Sequence, residues 1–332
     1  MVRSSISDSP ATTAEHVQFA AFAVIVAAAI PLLLRRIFIT PIRRRFPATP
    51  NTGRFATGSR AAVHEAHLAD GSPMGDVLTG GSAPVIGLIL CLLYTLRFNF
   101  HSTVRVEGPL CNPGDQPTPQ FMPSISASIG DHAPQRYIWR IAICFMIVNR
   151  ITDGAIQRSF FARVAAANVR DGASDPKTST YFGFLNGFVY WTHTLEQFAL
   201  VLLSYVSSSD WRALHEMGFI GFGIFNVLHM CSTMLLLRAA YGDRLLSSPR
   251  AALGWKLRKR WMAFNFGLLA LAACLFVRHV TYCEPYVYSF FGVCEWLFVA
   301  TNILFLNTWY IDAAHARIVV VDDVDVSQQH LS

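Results

Sequence analysis

The chain has 332 residues, 53% of them hydrophobic and only 14% charged, with a formal net charge of +6. A soluble domain carries about 25% charged residues, so this composition argues against a water-soluble globule and points to a bilayer as the solvent. The basic excess is small and lies between the apolar runs, where membrane topology would put it, so a nucleic-acid-binding surface is not expected.

In chain order, the first apolar run is Val17–Leu34, almost entirely Ala, Val, Ile, Phe and Leu. Small residues around Ala27–Ala29 suit a signal-peptide cleavage region. Its leader, however, holds Arg3 against Asp8 and Glu15, and its C-terminal flank reads RRIFITPIRRR, which favours a retained anchor with the N-terminus outside. Pro41–Pro84 is rich in Pro, Gly, Ser and Ala and is expected to be a disordered linker.

Six further runs are long enough to span: Ala83–Phe100, Tyr137–Phe160, Phe182–Val206, Leu214–Leu237, Trp261–Arg278 and Tyr286–Trp309. Helices are expected because an open sheet would leave backbone groups unpaired in lipid. The predicted fold class is therefore all-α, a polytopic membrane helix bundle with six core transmembrane helices and Val17–Leu34 as a candidate extra one. The domain layout is residues 1–82 as an N-terminal extension, 83–312 as the membrane domain and 313–332 as an acidic cytosolic tail. Basic residues crowd Arg35–Arg60, Arg158–Lys177 and Arg238–Arg260, whereas Phe100–Gln135, Ser207–Trp211 and His279–Pro285 have few. The first set is expected in the cytosol and the second in the lumen.

Cys91, Cys144, Cys231, Cys274 and Cys294 fall inside apolar runs and read as small buried hydrophobes. Cys111 and Cys283 fall in two expected lumenal loops. A disulfide between them is favoured there, the alternative being two unpaired thiols.

A charge near the bilayer centre costs at least ~2.5–3.5 kcal/mol, so each one needs a partner or a purpose. Arg150 lies deep in its segment with Asp153 at i+3. His193 and Glu196 share a face, as do Asn226 and His229, and Glu295 and Asn302; Asn265 lies early in its own run. These stripes are expected to meet in the bundle interior, with Arg150 paired to Glu196 or Glu295. Two readings follow: polar glue that fixes helix packing, or a site for a polar lipid headgroup or for chemistry. GxSxG, HExxH and P-loop motifs are absent from the sequence, and His215–Glu216 lacks a second histidine. No metal site or cofactor is expected. The segments PSISASIG, YVSSSDWRALHE and RHVTYCEPYVY bring hydroxyls, histidines and charges to one expected lumenal face. Ordinary helix capping by Ser and Asp is the competing explanation.

PSISASIGDHAPQRYIWR, LSYVSSSD, LHE, RHVTYCE and FVATNILF, in this order over about Ala83 to Asp312, resemble the post-GPI-attachment branch of the Cwh43 N-terminal-like, Frag/DRAM/Sfk superfamily. The resemblance implies a multi-pass protein of the Golgi or ER membrane. It implies a role in remodelling the lipid of glycosylphosphatidylinositol (GPI) anchors, at the stage where a saturated chain is installed on the lyso-lipid. It leaves open an acyltransferase or a lipid-presenting subunit. Other branches suggest the alternative of a non-enzymatic regulator of membrane lipid organisation or autophagy. The implied partners are GPI-anchored proteins or the GPI lyso-lipid, other GPI-remodelling enzymes and membrane lipids. On this resemblance the headgroup is expected against Arg136, Arg140, Arg278, His279, Glu284, Ser124 and Ser126. Arg150, Glu196, His193, Asn226, His229, Glu295 and Asn302 form the intramembrane network. The catalytic base is expected to be His229 or His279, and the resemblance adds weight to the Cys111–Cys283 disulfide.

Overall fold

The computed structural model describes residues 82–104, 118–170, 176–242, 249–309 and 311. Val17–Leu34, most of the linker, Cys111 and the acidic tail lie outside the described residues. Among those described, every secondary-structure element is a helix. The first rod, α1 (Ser82–Thr103), winds as a π-helix over Thr95–Asn99. A short α2 (Ile125–Ile129) follows, then α3 (Gln135–Arg170), α4 (Pro176–Tyr205), α5 (Arg212–Tyr241), α6 (Pro249–Tyr282) and α7 (Val287–Asn307). Each of the six expected spans from Ala83 onward thus falls on one long rod.

Four stretches, Ser82–Thr103, Arg212–Tyr241, Ala251–Tyr282 and Val287–Asn307, are long and apolar enough to cross a membrane. α3 and α4 have the length, at 36 and 30 residues, but carry more polar groups. Among those groups, Arg150 of α3 and Asn186, His193, Glu196 and Gln197 of α4 are buried. Their opposite faces are stripes of exposed apolar side chains. Tyr137, Ile141, Phe145 and Val148 line α3, and Phe184, Phe188, Trp191, Leu195 and Phe198 line α4. Spacings of three and four residues put each stripe on one face, as expected of helices that meet lipid on one side and a polar interior on the other. The fold is a helical membrane bundle.

Neighbours in sequence are neighbours in space: α4 packs on α3 and α5, α7 on α6, and α1 on α3. α3 starts just after Pro134, and α5 stops at Gly242, whose φ of 50° is left-handed and whose N–H bonds the Arg238 carbonyl. The α6–α7 turn is tight enough to hold Cys283 and Tyr286 at positive φ. Cys283 is disulfide-bonded, and the other five described cysteines are free.

Residues 118–134 fold back over the end of the bundle that carries this turn and the α4–α5 turn. The Tyr286 N–H bonds the Pro119 carbonyl at 3.0 Å, and Ser289 Oγ accepts from the Phe121 and Met122 N–H groups at 2.8 and 3.1 Å. Ser209 donates to Asp131. The three loops read as lumenal therefore converge on one end.

Small residues set the helix spacing. A Cβ on Gly218 of α5 would stand 3.0 Å from the backbone nitrogen of Leu203 on α4, whereas one on Gly187 would meet nothing within 4 Å. Gly218→Ala is expected to push the two helices apart at a cost of about 1 kcal/mol or more. Gly187→Ala should be neutral or gain up to ~1 kcal/mol through helix propensity. Thermal melting of both variants in detergent checks the contrast.

A buried polar relay and the cleft beside it

The centre of the bundle is a chain of hydrogen bonds across four helices. His193 and Glu196 come from α4, Asn226 and His229 from α5, Asn265 from α6, and Thr301 and Asn302 from α7. The i, i+3 spacing within α4 and within α5 aims both members of each pair inward. His229 Nδ1 donates to Glu196 Oε2 at 2.9 Å. Asn302 Nδ2 donates to Glu196 Oε1 at 2.6 Å and to Asn226 Oδ1 at 2.7 Å. Asn226 Nδ2 donates to Asn265 Oδ1 at 2.7 Å, and Asn265 Nδ2 reaches the Phe298 carbonyl and Thr301 Oγ1, both at 3.0 Å. Glu196, Asn226 and Asn265 are fully buried. Both Glu196 oxygens and the amide oxygens of Asn226 and Asn265 are matched by donors, which is what allows them to sit away from water. The expected meeting of polar stripes is therefore present, with Asn265 as a member that the list of network residues omitted.

His193 joins from the side. Its Nε2 donates to the Arg150 carbonyl at 3.0 Å, its ring lies 4.7 Å from that of His229, and its Nδ1 is buried without a partner. His193, Glu196 and His229 offer ligand atoms within 4.8 Å of one another, a spacing that could hold a metal ion. Both Glu196 oxygens are already committed to protein donors, His229 and Asn302.

The pairing expected for Arg150 is corrected. Its guanidinium donates through Nη2 to Asn307 Oδ1 at 3.2 Å, and neither Glu196 nor Glu295 is its partner. The side chain reaches the last residue of α7, where a cation also suits the carboxyl end of a helix. Asn307 lies five residues beyond Asn302 and so off the stripe that the sequence drew attention to.

Glu295 is also separate from the central relay. Its carboxylate accepts from the Ile125 N–H at 2.8 Å and from Ser126 Oγ at 3.4 Å, tying α2 to α7. A second contact meets Ser126: His215 Nε2 lies 3.2 Å from its Oγ, while His215 Nδ1 lies 2.7 Å from the Val206 carbonyl. The segments ISAS and LHE both drew attention in the sequence, but 89 residues separate Ser126 from His215, and nothing in the spacing joins them.

The residues expected at a headgroup lie at this same end, engaged with their own loops. Ser124 caps α2 by accepting from the Ala127 N–H at 3.1 Å, so the capping explanation holds for it. Arg136 Nε donates to the Gly130 carbonyl at 2.9 Å. Arg140 donates to the Tyr205 carbonyl at 2.8 Å, with its guanidinium 5.6 Å from the Tyr205 ring centroid. Arg278 and Glu284 form an exposed two-point pair at 2.6 and 3.1 Å; Arg278 holds the Glu284 carboxyl below the usual carboxylate range. His279 is buried against Tyr288, ring to ring at 4.8 Å, and neither of its nitrogens has a partner.

Between α1, α3, α4, α5 and α7 runs a narrow, mostly apolar cleft with a cavity volume of about 40 Å³. Ser126 and Glu295 line one end; Arg150 and Asn302 line the other, with Trp139, Ile143, Met146, Leu200, Phe219 and Val299 along it. Neither His229 nor His279 is among its lining residues. Three of its residues carry a buried polar atom with no partner: Trp139 Nε1, Ser204 Oγ and Arg150 Nε. An apolar slot with a few unmatched polar atoms is the usual character of a small-molecule or lipid site.

Residues 77–316 match the family model described as the Frag1/DRAM/Sfk1/Cwh43P N-terminal domain. The chain is 30% identical over 244 residues to "Acyltransferase PGAP2" of Xenopus tropicalis, covering 74% of this chain and 88% of that one. It is 28% identical to "Post-GPI attachment to proteins factor 2" of Caenorhabditis elegans, covering 74% and 86%. It is also 28% identical to the protein of the same name from Drosophila melanogaster, covering 70% and 82%. No solved structure matches.

Proposed function

We propose a function from the premise that this chain belongs to the Frag1/DRAM/Sfk1/Cwh43P N-terminal domain family: it acts in lipid remodelling of GPI anchors, at the step that places a saturated acyl chain on the lyso-lipid. The names of its relatives support the pathway, and one of them carries the word acyltransferase. The observation that carries the stage is the cleft. It is narrow and apolar, and is bounded at one end by Ser126, Glu295 and the loop that precedes α3. An acyl chain would lie along Ile143, Met146 and Val299, and the phosphoinositol part would stay outside, near Arg136, Arg140 and the Arg278–Glu284 pair. Trp139 Nε1 and Ser204 Oγ would supply hydrogen bonds to an ester. The central relay would hold the helices around the slot in register.

In this reading the protein is a multi-pass component of the Golgi membrane that meets GPI-anchored proteins after their first deacylation. The residues fit a catalyst better than a passive regulator of lipid organisation, because three of the buried unmatched polar atoms, on Trp139, Ser204 and Arg150, belong to residues that line the slot. The test is the purified protein in nanodiscs, given lyso-GPI and a saturated acyl donor, with products read by mass spectrometry. Formation of diacyl GPI is expected. Binding of lyso-GPI without product would assign the protein a lipid-presenting role, and neither binding nor product would remove it from this step.

A further inference from the structure

We propose that Ser126 and His215 form a nucleophile–base pair, and that Ser126 carries the acyl group as an ester during transfer. The proposal rests on the acyl-transfer reading above and names the residues that would perform it.

The protonation pattern follows from the hydrogen bonds. A carbonyl oxygen only accepts, so His215 Nδ1, 2.7 Å from the Val206 carbonyl, must carry a proton. In the neutral ring, Nε2 then presents a lone pair, and the atom facing it at 3.2 Å is Ser126 Oγ. The imidazole is thus fixed in the tautomer that a general base needs, with a backbone carbonyl in the orienting role that a carboxylate fills in other serine enzymes. The ring is held between two elements, the end of α4 through Val206 and α2 through Ser126. Its burial is nearly complete, at 9% exposure, whereas Ser126 is partly open and lines the cleft. Glu295 accepts from the Ile125 N–H at 2.8 Å and so sets where Oγ stands; its Oε1, 3.4 Å from Oγ, competes for the one hydroxyl proton, and Nε2 at 3.2 Å is the nearer acceptor.

The steps balance without a metal or redox partner. The donor is an activated fatty acyl group, either a thioester or the oxoester of a diacyl phospholipid. His215 Nε2 takes the Ser126 proton as Oγ bonds to the acyl carbonyl carbon. The bond from that carbon to the donor's sulfur or oxygen breaks, and the departing group receives the proton from Nε2. The free hydroxyl of the lyso-lipid then gives its proton to Nε2 and attacks the acyl-serine carbonyl. The Oγ–carbon bond breaks, and the proton returns to Oγ.

The experiment uses the full chain in nanodiscs with two donors in separate arms, deuterated palmitoyl-coenzyme A and deuterated dipalmitoyl phosphatidylcholine, without acceptor. Intact-mass and peptide mass spectrometry read any acyl adduct. One adduct on Ser126 is expected from at least one donor, stable to neutral hydroxylamine as an oxoester is, and the donor that gives it identifies the source. Ser126→Ala should remove it, and His215→Gln should slow its formation by about 10²-fold or more, in the range of general-base losses. Ser126→Cys should regain an adduct, now hydroxylamine-labile, which shows that a variant at this position still folds. Wild-type protein that makes diacyl GPI with no adduct, and Ser126→Ala that keeps more than a third of that turnover, would overturn the dyad while leaving the acyl-transfer reading intact. An adduct on Ser126 that lyso-GPI does not discharge would support the dyad and reject the lyso-GPI acceptor. An adduct on a cysteine alone, or no adduct and no turnover, would overturn the dyad.

Discussion

Glu196→Ala is expected to be among the most damaging single changes in the membrane domain, costing on the order of 3–5 kcal/mol of fold stability. The variant removes both acceptors at the relay's centre at once. His229 Nδ1, which had 2.9 Å to Oε2, and Asn302 Nδ2, which had 2.6 Å to Oε1, are left in a dry interior. The loss should propagate, because Asn302 also donates to Asn226, and Asn226 to Asn265, so three further helices lose the reason for their register. Glu196→Gln keeps an acceptor for one donor and should fall between the two. Thermal unfolding by size-exclusion recovery in detergent ranks the three proteins. A Glu196→Ala protein as stable as the wild type would mean that the relay is not what holds the bundle. Arg150→Met combined with Glu196→Leu should be no better than Glu196→Leu alone, since the arginine is bonded to Asn307 and not to the glutamate.

Filling the cleft should separate binding from chemistry. Leu200→Trp puts an indole among Ile143, Met146 and Val299, which line the same slot. Transfer of a sixteen-carbon chain is expected to fall by ~10²-fold, because a packed hydrophobic wall that gains several atoms costs 1–3 kcal/mol or more to displace. Transfer of a four-carbon chain, which needs only the mouth of the slot, should fall by less than about threefold, a difference of under 1 kcal/mol. Initial rates with the two donors check the split. Equal losses for both would place the acyl chain elsewhere.

The bundle was legible because lipid leaves few options: long apolar runs must be helices, and their interruptions by His, Glu and Asn must face inward. His193 with Glu196, and Asn226 with His229, could be paired by eye from the i, i+3 spacing. Inter-helix partners were another matter. Arg150 could be seen to need an acceptor, and Glu196 and Glu295 were the expected ones; Asn307 went unnoticed because it is uncharged and lies off the polar stripe of α7. Glu295 sits in the first half of α7 and meets α2; Asn307 ends that helix and meets the deeper Arg150. Ser126 was expected at a headgroup, with capping as the competing explanation, and His215 stood out only as half of an incomplete HExxH. Their contact depends on how residues 118–134 fold over the bundle, and that path is set by Gln120, Ser289 and Glu295 at long range. The polar character of α4 misleads in the opposite sense, since what lowers its apolarity is the side it presents to the interior.

The central claim is that a lipid chain lies inside the bundle, between the Ser126 end and the Arg150 end of one slot. A palmitoyl lipid with a diazirine midway along the chain, loaded into the nanodisc-embedded protein and photolysed, tests it directly. Peptide mapping should place the adducts on Ile143, Met146 or Val299. Adducts confined to the outward stripes, at Phe145, Val148 or Phe198, would show that the chain stays in the surrounding bilayer and would contradict the account.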